Sequence, residues 1–302
     1  YVLEGRVVTM GAQGVLPRGA VYICAGRIEA VQSIKRPPPP GFEAAPRLST
    51  RGSIYPGLVE LHNHLAYNAL PLWDVPKRYS NNNQWKTHAD YRRLITKPTQ
   101  VLGRSPGIVE AVVRFTECRC LLGGVTTTQG ITLVGTGGLA VLYQGVVRNV
   151  ERTDDPLLPE AGTRIANPDL GQAENYLRTL TRHTCYLQHL SEGVDSTARE
   201  WFQRLRLDNG EWALTPTFAG IHCAALIEED FHIIAAHGGS VIWSPLSNYL
   251  LYGGTMDLQA ARAADVLMGL GSDWAPSGSK NLLGELKVAW LANQAQGSPF
   301  SA

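Results

Sequence analysis

His62 and His64 stand two positions apart at the end of an apolar run, in VELHNHLAYN at residues 59–68. In a strand, residues i and i+2 project from one face, so both imidazoles would point the same way while Leu61 and Asn63 turn from them. Neutral imidazole is the commonest metal ligand, and two on one strand can grip a single cation. A strand end with two solvated histidines would show the same spacing, so the pair alone does not decide. Other ligand types also stand where apolar runs stop: His189 after TCYLQ, His222 after TFAGI and Asp273 after DVLMGLGS. A mixed histidine and aspartate set suits zinc, iron or manganese better than calcium or magnesium, which prefer oxygen. The remaining histidines are placed differently. His183 precedes its strand, His232 and His237 sit in helix-like sequence, and His88 lies in a long segment from which it could reach the site.

Residues so far apart in the chain meet only if the runs that carry them are neighbouring strands. From residue 54, short apolar or β-branched runs alternate with helix-compatible stretches. The runs are YPGLVEL, GVTTTQGITLV, LAVLYQGVVRNV, TCYLQHL, ALTPTFAGIH, GGSVIWSP and DVLMGLGSD; the helical stretches include TAREWFQRLRL and LIEEDFHIIAAHG. The second of these ends in Gly238–Gly239, a reasonable helix terminus. Such alternation predicts an α/β architecture with a parallel sheet. An eighth run near GTRIAN would close a (β/α)8 TIM-like barrel, whose sites lie at the C-terminal ends of the strands. Residues 1–53 read as a separate small β portion: AVYICAGRIEAV is two alternating runs about a turn at Gly26, and KRPPPPG is an extended surface loop. The expected division is 1–53 and 54–302.

The composition allows this. A chain of 302 residues, 44% hydrophobic and 18% charged, can hold one large barrel. A net charge of +1 gives no reason to expect nucleic acid or an anionic membrane as partner. No apolar run approaches the roughly 18–20 residues that span a bilayer. Cys24, Cys118, Cys120, Cys185 and Cys223 are scattered rather than framed as disulfides, which points to a reducing, cytoplasmic location. Because the sequence opens on Tyr1, the lack of a signal peptide carries little weight. Competing motifs fail on chemistry. GRSPG at 103–107 matches a hydrolase elbow, but Pro106 lacks the N–H the oxyanion needs. GTGGLA at 135–140 fits a dinucleotide loop, yet VLYQGVV is a poor helix start. Cys118 and Cys120 are only Cys-x-Cys in helix-like sequence, and the zinc signatures of nucleotide-type deaminases and metalloproteases are absent.

The segments YPGLVELHNHL, GVTTTQG, LQHLSEG, GIHCAAL, VIWSPLSN and LGSDWAPSG resemble, in order, those of the amidohydrolase superfamily, in the branch of cytosine and guanine deaminases and triazine chlorohydrolases. The resemblance implies a (β/α)8 barrel with a flanking β-sandwich, to which residues 1–53 would contribute. The closing sandwich strands are not found before Ala302. It implies His62, His64, His189, His222 and Asp273 as metal ligands, with His222 ligating the ion or orienting its water. It implies Glu192 as proton shuttle, Asp273 as base, and Ser247 and Asn248 beside the substrate. Members with two metals bridge them through a lysine, and this chain has none between Lys97 and Lys280. One divalent ion is therefore expected, zinc first, with iron or manganese as alternatives.

A bound metal lowers the pKa of water from 15.7 toward about 7. Glu192, His222 and Asp273 would then serve hydrolytic displacement at an sp² carbon of a nitrogen heterocycle, with deamination or dechlorination as the outcome. A cyclic-amide or ester hydrolase, or an impaired metal-binding homologue, are the alternatives. Residues 65–100 carry Tyr67, Trp73, Tyr79, Trp85 and Asn81–Asn83. They read as a lid or stacking wall, with Trp85 against the substrate, or as a surface excursion anchored by aromatics. The expected partner is a small molecule, with a homodimer left open.

Overall fold

The computed structural model describes residues 1–130 and 145–301. Tyr1–Gly57 and Leu58–Ala302 form two units. In the first, alternating β-branched and polar residues build β1 (Val2–Val8), β2 (Val15–Cys24), β3 (Arg27–Ser33) and β4 (Arg47–Ile54). The sheet order is β3-β2-β1-β4, with β1 antiparallel to β2 and parallel to β4. Ala25 and Gly26 join β2 to β3 with φ of 48° and 76°. Positive φ at both turn residues matches the twist of a tight hairpin. The proline run falls in the β3–β4 connection, outside any ladder. Val2, Ala20, Tyr22 and Phe42 form the apolar side, Tyr22 and Phe42 meeting edge to face at 5.3 Å.

Among the described residues the second unit carries eight short strands: β5 (Leu58–Glu60), β6 (Val125–Thr128), β7 (Arg148–Asn149), β8 (Gly162–Arg164), β9 (Tyr186–Leu190), β10 (Phe218–His222), β11 (Ser240–Trp243) and β12 (Leu267–Leu270). They pair in parallel in two sheets, β5-β6-β7 and β12-β11-β10-β9-β8. The run GTRIAN supplies β8. The ladders do not close into a ring among the described residues, which form a mixed α/β fold with two parallel sheets. Strand length is the physical reason. With three residues in β5 and two in β7, neither is long enough to carry a ladder to a second neighbour. Contacts beyond the strand ends stand in for it. Asp273 N–H donates to the His62 carbonyl at 3.0 Å, and His64 N–H donates to the Asp273 carbonyl at 3.1 Å. Below them the buried Glu60 carboxylate accepts from Ser272 N–H at 3.1 Å and from Asn63 Nδ2 at 2.8 Å. On the other side, Ala161 N–H reaches the Val150 carbonyl at 2.8 Å. The GTGGLA segment lies outside the described residues.

Every residue of β9 and β10 is buried, as expected of parallel strands covered on both faces. The two predicted helices form at Ser196–Gln203 and Glu228–Ala236, and another helix spans Leu282–Ala295. Asp195 and Asn281 cap two of them by accepting from Ala198 N–H and Gly284 N–H. Gly238, with φ of 71°, stops the third in a conformation that a β-carbon would disfavour. These helices bury Trp201, Phe202, Phe231 and Ile234 in one core with Phe218 and Trp243. That core anchors the rear of the sheet, so the strand ends at the opposite edge are held firmly. No helix among the described residues is long and apolar enough to cross a membrane.

Candidate functional site

The β5 ladder stops at Glu60, so His62 and His64 are not strand residues. The backbone bonds to Asp273 hold them instead, and both imidazoles converge on its carboxylate. His62 Nε2 lies 3.1 Å and His64 Nε2 3.5 Å from Asp273 Oδ1. His189, on β9, brings Nε2 to 3.2 Å from His64 Nε2. The His222 ring, at the last position of β10, is 5.1 Å from that of His62. Backbone shape aims these groups. His222 has φ of 72° and Asp273 of 63°, left-handed conformations that cost a non-glycine residue of order 1–3 kcal/mol. The cost is borne at the last residue of β10 and three residues past the end of β12, where the chain turns these side chains toward the cluster.

The far ring nitrogen of three histidines is committed to an oxygen. His62 Nδ1 meets Gln129 Oε1 at 2.9 Å, His189 Nδ1 the Arg164 carbonyl at 3.2 Å, and His222 Nδ1 the Asn248 Oδ1 at 3.0 Å. Gln129 Oε1 also accepts from Asn63 N–H at 3.2 Å, which fixes the amide's orientation. Each Nδ1 therefore carries a proton, and the low pKa of His189 and His222 leaves their Nε2 as lone pairs, as in outer-shell support of metal-binding histidines. His62 Nε2 is buried without a hydrogen-bond partner. Burial and the neighbouring His62 charge bring the His64 pKa down to about 3. The same causes hold His189 well below its ordinary value, and burial lowers His222. Burial also works against a charged His62, but the adjacent Asp273 carboxylate outweighs it and the pKa rises. Asp273 shows the converse: burial opposes its charge, and His62 more than compensates, holding it below the carboxylate range.

This donor set fits a metal ion. His62, His64 and Asp273 form one group of mutually close donor atoms; its 3.1 and 3.5 Å separations, and the 3.2 Å from His64 to His189, lie near the ~3.3 Å edge of a tetrahedron with ~2.0–2.1 Å bonds. His62, His189 and His222 form an overlapping group with mutually close nitrogens. His64, His189 and His222 are held as unprotonated imidazoles and Asp273 as a carboxylate, the forms a cation requires. On His62 a cation would compete with the proton that Asp273 favours.

Glu192 follows His189 just past β9. Tyr252 O–H donates to its Oε1 at 2.6 Å and Asn82 Nδ2 to its Oε2 at 2.7 Å. Trp85 Nε1 in turn donates to Tyr252 at 2.7 Å. Glu192 Oε1 is 4.0 Å from His222 Nε2. The carboxylate, His64, His189, His222 and Asp273 open onto a cavity of about 120 Å³ whose other walls are Tyr67, Trp85, Lys86, Tyr91, Ile165 and Trp274.

Ser247 and Asn248 require a correction. They do not line this cavity but are fully buried behind it. Ser247 O–H donates to Asp273 Oδ2 at 2.6 Å and Asn248 holds His222. The helix Pro245–Tyr252 starts directly after β11, so its first turn faces the ligands rather than the opening. Of the long segment, Tyr67 and Trp85 reach the cavity, while Trp73 and Tyr79 pack in a cluster with Leu251 and Ile95. His88 stays with that cluster, 6.2 Å from the Tyr79 ring. His183 rests against Tyr186, His232 is 3.7 Å from Glu228, and His237 bonds the Ile233 carbonyl. GRSPG follows a helix rather than a strand, and Cys118 and Cys120 lie inside Ile108–Leu122. Tyr252, Gln129, Tyr91 and Trp274 were not anticipated. Only Trp274 had a signal, its position directly after Asp273.

Parallel pairing of short strands, with helices between them, makes the second unit a mixed α/β fold that carries the histidine–aspartate cluster at the ends of its strands. Solved structures show the same fold. A zinc-bound adenosine deaminase from Xanthomonas campestris aligns over 99% of this chain and 75% of its own, at 18% identity and a TM-score of 0.66. A mutant atrazine chlorohydrolase from Arthrobacter aurescens TC1, complexed with zinc and atraton, aligns over 100% and 79%, at 17% and 0.73. E. coli guanine deaminase aligns over 99% and 80%, at 18% and 0.68. No family model matches the sequence. A 5-methylthioadenosine/S-adenosylhomocysteine deaminase from Desulfitobacterium hafniense is 29% identical over 104 residues, 34% of this chain and 23% of that protein. The matched stretch thus spans under a quarter of this curated relative.

Proposed function

We propose that this chain is a metal-dependent amidohydrolase that hydrolyses a nitrogen heterocycle at an sp² carbon, releasing ammonia or, from a chlorinated ring, chloride. The substrate is a small molecule. His62, His64, His189 and Asp273 would hold one divalent ion, zinc by the neighbours' example, with iron or manganese the alternatives. When bound, such an ion acidifies water and so supplies a nucleophile at neutral pH. Asp273, its Oδ2 kept in place by the Ser247 hydroxyl, would serve as the base for the attacking water. Asn248 commits His222 Nδ1 as donor, so His222 Nε2 accepts a hydrogen bond from the water or completes the ligand set. Glu192, its carboxylate aimed by Tyr252 and Asn82, would take up one proton that the water gives up and pass it to the ring nitrogen. The second water proton, held by Asp273, would leave on the amine as ammonia, whereas chloride departs with the electron pair of its bond to carbon and needs no proton. The aromatic walls receive a planar ring by stacking and exclude water.

Further aspects belong to the same reading. The eight parallel strands and the His62–Asp273 backbone bonds support a (β/α)8 barrel over residues 54–302. The four-stranded sheet supports residues 1–53 as a β-sandwich portion. Five free cysteines support a cytoplasmic location.

One observation carries the proposal: a carboxylate held by two donors stands 4.0 Å from the histidine cluster, at the floor of an aromatic cavity. The test is a screen of amino- and chloro-substituted pyrimidines, purines and triazines for ammonia and chloride release, with metal content measured on the same sample. Glu192→Gln should lower kcat by about 10²- to 10⁴-fold at unchanged metal content. Absence of turnover in a fully metal-loaded protein would overturn the assignment.

A further inference from the structure

The cavity has a polarity that hydrolysis alone does not require. Its floor holds the two carboxylates, and each is already engaged. Asp273 faces His62 and Ser247, and Glu192 accepts from Tyr252 and Asn82. The walls are aromatic, with Trp85, Tyr91 and Trp274 at centroid distances of 5.1, 5.6 and 6.0 Å from one another. Lys86 is the one cationic side chain lining the space among the described residues. It follows Trp85 at the end of the helix Asn82–Lys86 and is solvent-exposed. Its ammonium sits 5.3 Å from the centroid of the Trp85 ring, a cation–π contact that holds it over the wall. Among the described residues no carboxylate forms an ion pair with it.

An unpaired ammonium fixed on the rim of an apolar slot is complementary to an anion that enters with a flat ring. Resting on the proposed function, we infer that the substrate is an anionic heteroaromatic, a ring bearing a carboxylate or comparable acidic substituent that Lys86 receives while the ring stacks on Trp85. The reacting edge of the ring then faces Glu192 and Asp273, and the charged substituent faces out. Lys86 thereby sets which end of the ring enters first.

Nicotinate and nicotinamide provide the probe, since they are nearly the same shape and differ in the charge of the substituent and the amide's N–H donors, and meta placement keeps that substituent from chelating together with the ring nitrogen. Calorimetric titration of the metal-loaded protein should show nicotinate bound about tenfold more tightly than nicotinamide, the scale of one charge-assisted hydrogen bond. The preference should shrink with added salt, vanish in Lys86→Met and reverse in Lys86→Glu. Equal affinity for acid and amide in the wild type would overturn the inference, as would a preference that survives Lys86→Met, which would place the carboxylate on the metal. Failure of both probes to bind would also overturn it. A Lys86-dependent preference without turnover of any heterocycle would sink the hydrolase assignment and leave the anion subsite standing.

Discussion

Replacing Gln129 by leucine removes the acceptor that commits His62 Nδ1 to its protonated form, at 2.9 Å, and that also holds Asn63 N–H at 3.2 Å. Without it the buried His62 can place its proton on Nε2, the atom proposed to face the ion. Loss of an outer-shell partner of this kind typically weakens metal binding 10- to 100-fold, or about 1.4–2.7 kcal/mol. A separate cost falls on the fold. Asn63 N–H is left unpaired in the interior, for about 1–3 kcal/mol. Zinc affinity measured by chelator competition, and unfolding of the metal-free protein in urea, separate the two effects. Gln129→Glu is the control, because it keeps an acceptor at this position. It should retain zinc affinity within a few-fold of wild type or better. Wild-type affinity in Gln129→Leu, or equal losses in both variants, would refute the idea that Gln129 sets the tautomer of a metal ligand.

Tyr252→Phe leaves the Glu192 carboxylate with one donor and Trp85 Nε1 with none. We expect kcat to fall about tenfold, the scale of one hydrogen bond to a charged group, with zinc affinity unchanged by chelator competition. Glu285, fully buried on the last helix and accepting from Leu246 N–H at 2.8 Å, has its pKa pushed by burial from 4.5 to about 7. Between those values the folded state keeps a proton that the unfolded chain has released, so stability falls as pH rises through the window, by roughly 3 kcal/mol. Glu285→Gln should flatten that slope in urea unfolding at pH 5 and pH 8; an unchanged slope would remove Glu285 as its source. Phe231→Ala, at a fully buried core position, should cost about 3–5 kcal/mol in the same assay. A cost under 1 kcal/mol would show that this core does not anchor the sheet.

The residues of the histidine–aspartate cluster were legible because each follows an apolar run, and a parallel strand buried on both faces declares itself by such a run. His189 and His222 lie where TCYLQ and TFAGI end, and the local pattern needed no knowledge of their neighbours. The β5 pair was legible for a different reason than the one that holds it. His62 and His64 share a face through backbone bonds to Asp273, more than 200 residues away, and not through strand alternation. Gln129 and Tyr252 left no trace in their own segments, since a glutamine after a strand and a tyrosine in a helix fit many surroundings. Ser247 and Asn248 were visible as a motif, but which way the first helical turn faced depended on how closely that helix begins after β11. Side-chain type and periodicity are local quantities, and they settled where the strands end and what chemistry stands there. Hydrogen-bond direction, ring tautomer and the lining of the cavity arise from pairs of atoms that only packing brings within 3 Å, so they became readable only in the folded chain.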